Sequence, residues 1–237
     1  MMRFTSPVTT LLTGVLAFAS LPAFGWQDTN SRAPGLMPAS DHVAPAVRTA
    51  RNNIYAGLVQ NLPSLLEGWS PDKPPRITQV TITALPELPV GISQVIVIGK
   101  ITSITPWLTP GNKGLYSEYR VAVDSVLMNR SSWQQDPTLD LLQSGGSVYI
   151  PNLGSVTSRV SGIGEQIDTG RTYLLFLNYE PRAQCFTFVK AWDVTVGQAL
   201  AVRNDDLLRM KQHTSTVYGL PLQDLVARVQ ALVSAMR

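Results

Sequence analysis

From Arg76 to Val196 apolar residues recur mostly at every second position, the spacing of strands that bury one face. Val80, Ile82 and Ala84 alternate with Thr81 and Thr83. Gln94 to Ile104 is apolar on both faces near Val95 to Ile98 and is interrupted by Gly99. Pro106 to Leu115 then carries Pro110-Gly111-Asn112-Lys113-Gly114, a turn composition. Ser117 to Leu127 predicts a half-buried strand: Tyr119, Val121, Val123 and Leu127 face the core, and Glu118, Arg120, Ala122 and Asp124 face water. A loop over Asn129 to Asp136 follows. Gly145-Gly146 then introduces a short strand, Ser147 to Ile150, and another covers Ser155 to Val160. Thr172 to Leu177 is almost wholly apolar and predicts a central strand. Phe186 to Val196 sets Phe186, Phe188, Trp192, Val194 and Val196 on one face, with Lys190 between them. Five to seven strands with closely spaced turns predict a mainly β antiparallel barrel or sandwich.

Helical spacing brackets this region. Val47, Ala50, Ile54, Leu58 and Leu62 predict a helix from Ala46 to Leu62, closed by Pro63. Leu222, Leu225, Val226, Val229, Leu232, Val233 and Met236 form a C-terminal stripe begun by Pro221, where a first helical turn tolerates proline. Asn204 to Lys211 reads as a short helix or an irregular connection.

The first residues have a different character. Arg3 precedes an uncharged stretch with Leu11, Leu12 and Val15 to Ala19, and Ala23-Phe24-Gly25 supplies the small residues a signal peptidase reads. The stretch falls short of the roughly 18 residues of a membrane span. The expected plan is a signal peptide over 1–25, cleaved after Gly25 to leave Trp26. A Pro-rich segment with a short helix over 26–75, a barrel domain over 76–200 and a helical segment packing on it over 201–237 complete it. The expected destination is the periplasm or the exterior.

Removing Arg3 leaves 18 of the 19 basic residues against 16 acidic ones, scattered without clusters. That argues against nucleic acid or an anionic membrane as the main partner. Cys185 is the only cysteine, so no intramolecular disulfide exists. With 44% hydrophobic residues in 237, the fold relies on its core.

Four stretches carry a resemblance: Val95-Ile-Val-Ile-Gly-Lys-Ile-Thr, Tyr116-Ser-Glu-Tyr-Arg-Val-Ala-Val-Asp-Ser-Val-Leu, Gly146-Ser-Val-Tyr-Ile and Gly170-Arg-Thr-Tyr-Leu-Leu-Phe-Leu. In this order they resemble a family of uncharacterised exported bacterial proteins. More distantly, they resemble the netrin-like barrel of tissue inhibitors of metalloproteases. The resemblance covers roughly Gln94 to Val196 and implies a small OB-like antiparallel barrel with a C-terminal helix. It does not carry the inhibitors' mechanism, in which an N-terminal cysteine chelates zinc, since Cys185 stands alone and the expected terminus is Trp26. Met128-Asn129 also stands where such modules often have Lys-Gly.

Catalytic patterns are weak. His42 and His213 lack the partners and spacing of a zinc site. Asp168-Thr169-Gly170 occurs once, where aspartic proteases need two copies, and a turn accounts for it. Ser70-Pro71-Asp72-Lys73 lies in a proline-rich stretch. Gly162-Ile163-Gly164 lacks the third glycine of a dinucleotide loop. Cys185 reads as a buried small hydrophobe. No catalytic residue, metal or cofactor is therefore assigned. Trp107 and Tyr116, either side of the Gly/Pro loop, with Arg120 on the polar strand face, form the expected binding surface for a protein, peptide or glycan of the cell envelope. The expected function is a non-enzymatic binding module. The alternatives are an envelope hydrolase using Asp168 and Glu165, or a protease inhibitor presenting Pro106 to Tyr116.

Overall fold

The computed structural model describes residues 41–56, 85–112, 114–150, 154–158, 167–202 and 214–236. The leader, the Val80-Ile82-Ala84 alternation, Leu58, Leu62, Ser70 to Lys73, Gly162 to Glu165 and Asn204 to His213 lie outside them.

Among the described residues eight strands follow in order: β1 Val95–Leu108, β2 Leu115–Asn129, β3 Thr138–Ser144, β4 Gly146–Ile150, β5 Gly154–Ser158, β6 Thr172–Glu180, β7 Cys185–Asp193 and β8 Leu200–Ala201. Helix α1, Pro45–Ala56, precedes them and α2, Leu222–Ser234, follows. The main sheet runs β3-β2-β1-β6-β7-β8 with antiparallel neighbours, and β4 and β5 form a separate hairpin. The sheet partly closes into a ring because β3 also pairs with β7, in parallel, through Leu141↔Phe186 and Leu142↔Thr187. This is a mainly β, OB-like barrel with a C-terminal helix, and of the barrel and sandwich that the strand spacing predicts it is the barrel.

Two apolar layers explain the fully apolar runs. The interior gathers Val95, Val97 and Ile101 of β1, Tyr119 and Val121 of β2, Leu139 and Leu141 of β3, Tyr173, Leu175 and Leu177 of β6, and Phe186 of β7. On the outside, Ile96, Ile98, Leu174, Phe176 and Trp192 meet Leu225, Val229 and Val233 of α2. Strands β1 and β6 are thus buried on both faces, and each α2 anchor contributes about 1.5–3 kcal/mol by burial. Leu232 and Met236, expected on the same stripe, are exposed.

Two expectations fail for one reason, local breaks in the two-residue period. The β1–β2 register shifts between Ile96 and Val97 and between Ile98 and Gly99. Leu127 consequently packs with the outer layer, while Val126 turns to the interior. Gly99 allows this crowding: a Cβ there would meet the Ala122 carbonyl oxygen and a Val121 methyl at 2.7 Å. Likewise the β6–β7 register shifts between Phe176 and Leu177. Phe186 and Phe188 therefore point inward, and Trp192 and Val194 point outward rather than sharing their face. Val196 lies beyond β7 and is exposed. Lys190 is wholly buried on the outer side, donating from Nζ to the Pro86 carbonyl at 3.0 Å.

Strand β3 has no counterpart in the sequence reading, which passes from the Asn129 to Asp136 loop directly to Gly145. Its sequence, TLDLLQS, is leucine-rich and lacks Val, Ile and aromatics. It nonetheless runs along β2 from Ala122↔Thr138 to Tyr116↔Ser144.

Candidate functional site

Helix α1 carries two arginines and no acidic residue in Pro45–Ala56, so its guanidinium groups have no partner one turn away. Arg48, Arg51 and Tyr55 share one face at three- and four-residue steps. With Val47, which the predicted stripe also contains, they are its buried residues, and Ala50 and Ile54 of that stripe pack, partly buried, against the same cluster. That face lies on β2, β3 and the turn before β7.

Arg51 is 1% exposed. Its Nε donates to the Ala183 carbonyl at 3.0 Å, and Nη2 donates to Asp140 Oδ2 at 2.9 Å and to the Gln184 carbonyl at 3.0 Å. Nη1 forms an ion pair with Glu118 Oε1 at 3.0 Å, outside hydrogen-bond geometry. Arg48 lies one turn earlier. Its Nη1 donates to Glu118 Oε2 at 2.8 Å and to the Tyr116 hydroxyl at 2.9 Å, while Nε and Nη2 grip Asp41 at 2.5 and 2.8 Å. Its guanidinium carbon lies 3.6 Å from the centre of the Trp107 ring, a cation–π contact. Tyr55 stacks on Tyr116 with ring centres 4.9 Å apart. A Cβ on Gly114 would sit 2.7 Å from the Tyr55 carbonyl oxygen, so the hairpin receives the end of α1 only because glycine is there.

The acids are arranged for these cations. Glu118 and Asp140 are both buried, on adjacent strands, and Asp140 also accepts from Arg120 Nη1 at 2.6 Å. Burial opposes ionisation of Asp140, but hydrogen bonds and charge from Arg120 and Arg51 outweigh it and hold the carboxyl below its ordinary value. The Arg48 hydrogen bonds lower Asp41 to about 2. Burial pushes the Cys185 thiol, beneath the helix, up to about 12. His42 Nε2 lies 2.9 Å from Glu118 Oε1 and 3.5 Å from Asp140 Oδ2. Among the described residues these three are the group whose ligand atoms lie close enough to surround a metal ion. Yet Glu118 Oε1 and Asp140 Oδ2 already face the Arg51 guanidinium, so the trio is an ion-pair network.

The expected binding residues are therefore split. Tyr116 is completely buried under α1, a correction to its placement as a surface aromatic. Its hydroxyl donates to Asn52 Oδ1 at 2.9 Å. Trp107 is partly buried against Arg48, and its indole Nε1 is enclosed without a hydrogen-bond partner. Arg120 is 45% exposed, tied to Asp140 and to the Thr138 hydroxyl. Glu118, assigned to the solvent face, is 4% exposed. Arg48, Arg51 and Asp140 escaped sequence reasoning. The available signal was a helix with two arginines and no acid, matched by isolated acids in strands. Asp168 sits in a turn, its backbone N–H donating to the Tyr173 hydroxyl at 2.8 Å.

No family model matches the chain, and no curated protein shows significant similarity to it.

Proposed function

We propose that this protein is an exported, non-enzymatic binding module whose barrel recognises its ligand through the face made by β2 and β3, on which α1 rests, and the bordering residues 109–112, 114 and 181–184. OB-type barrels commonly bind through this face and such loops. The observation that carries the reading is the state of the buried acids. Glu118 and Asp140 are saturated by guanidinium groups, an arrangement that recognises cations and does not shuttle protons. Glu118 and Asp140 are thus committed to cations and do not serve as the acid pair of a hydrolase. The inhibitor alternative narrows too, because Pro106 to Leu108 and Leu115 to Tyr116 are paired strand residues. Export rests on the leader pattern.

The test exposes the mature chain to envelope peptides, glycans and proteins and follows both saturable binding and product formation. Binding without turnover, weakened at least tenfold by Trp107→Ala with Arg120→Ala, is the expected result. Turnover of any of these, or no binding across all of them, overturns the proposal. N-terminal sequencing of the secreted product should begin at Trp26, and a leader retained in the cytosol removes the export part.

A further inference from the structure

The seat that holds α1 is built entirely by the barrel. Glu118 comes from β2, Asp140 from β3, and the two carbonyls from Ala183 and Gln184 in the turn before β7. Together they meet all three nitrogens of one guanidinium group. A second station one helical turn away consists of the Glu118 Oε2 oxygen, the Tyr116 hydroxyl and the Trp107 ring. A lysine ammonium, a point charge, does not span these oxygens, whereas the planar fork of arginine does. The occupant is distant in sequence: Ala56 is separated from Leu85 by residues 57–84.

The fit of α1 is also incomplete. Arg51 Nη1 meets Glu118 only as an ion pair, and Trp107 Nε1 and Thr109 Oγ1 on the bordering hairpin are likewise buried without hydrogen-bond partners. Buried donors without acceptors are unfavourable, so an occupant with an acceptor near this hairpin would compete with α1.

From these contacts we infer that the face beneath α1 is an exchangeable receptor for a helix bearing two arginines three residues apart, and that α1 is its resident occupant. The partner is thus a protein segment of that chemistry and not a glycan. Among the described residues, removing α1 without replacement leaves Glu118 with His42 and Asp140 with Arg120 and His42, so exchange requires that the newcomer bring guanidinium groups. The inference rests on the proposed function only in taking this face as the binding surface. A chain that binds an envelope glycan but no arginine helix keeps the former and loses the latter.

The experiment uses the full mature chain and labelled helical peptides read by fluorescence anisotropy. One peptide carries the residues of 41–56. A second is an alanine-based helix keeping only the residues at Arg48, Arg51 and Tyr55. A third repeats the second with lysine for both arginines. Both arginine peptides should bind the Arg48→Ala, Arg51→Ala chain at least tenfold more tightly than wild type, whose own α1 competes. The lysine peptide should bind at least tenfold more weakly, and adding Glu118→Gln and Asp140→Asn should abolish binding. If the double variant is unfolded alone, either arginine peptide added during refolding should restore its β circular dichroism. Absence of binding or restoration by the alanine-based arginine peptide, equal binding by the lysine peptide, or binding indifferent to the acid substitutions overturns the inference.

Discussion

Arg51 exchanges its hydration shell for two carboxylates and two carbonyl oxygens, and this exchange holds only while all of them are present. Truncating Arg51 takes one guanidinium partner from each of the buried acids, leaving Glu118 to Arg48 and His42 and Asp140 to Arg120 and His42. Arg51→Ala is therefore expected to lower stability by about 3–5 kcal/mol, read from the urea midpoint. Arg120→Ala, at a half-exposed ion pair, should cost about 1 kcal/mol or less. The acids also set a pH dependence. Asp41 has its folded value depressed from 3.8 to about 2 and Asp140 is shifted in the same direction, so both contribute stability above the ordinary carboxylate range. That contribution declines as pH falls from about 4 towards 2. Denaturation midpoints measured across this window should fall, and Asp41→Asn should flatten the slope. None of this was legible at Glu118, because alternation assigns a side chain to a face without saying what will later cover that face.

The two described helices attach by different chemistry, and the sequence disclosed one much better than the other. Helix α2 docks through Leu225, Val229 and Val233, positions its apolar stripe marks directly. Leu225→Ala should cost about 2–5 kcal/mol and Leu232→Ala no more than about 0.5 kcal/mol, since the first is fully buried and the second exposed. Helix α1 docks largely through charge: apolar spacing marks Val47, Ala50 and Ile54, which do face the barrel, but passes over Arg48, Arg51 and Tyr55, which are buried there. Cys185, the chain's single thiol, lies under it and reports its position. Maleimide labelling of Cys185 is expected to be slow in the wild type and at least tenfold faster after Arg48→Ala with Arg51→Ala, with the β circular dichroism retained. Strand β3 was hidden for another reason: its leucines carry no strand preference, and it is ordered by pairing with β2.

For the whole molecule, the two-residue period carried the architecture, and β1, β2, β6 and β7 lie close to where it placed them. It did not reveal which faces change sides, because a register shift depends on the partner strand, as at Leu127 and Trp192. Nor did it reveal ring closure. The junction that completes the ring is also its shortest, Leu141↔Phe186 and Leu142↔Thr187, against the long antiparallel ladder of β1 and β2. Arg51 fastens that junction from outside, joining Asp140 on β3 to the carbonyls that lead into β7. The molecule is consequently buttoned by a remote side chain, and a tether drawing on the N-terminal side of α1 would transmit tension through Arg48 to this button. Under mechanical load in an optical trap, the barrel should split first between β3 and β7, at a lower force than the remaining ladders withstand.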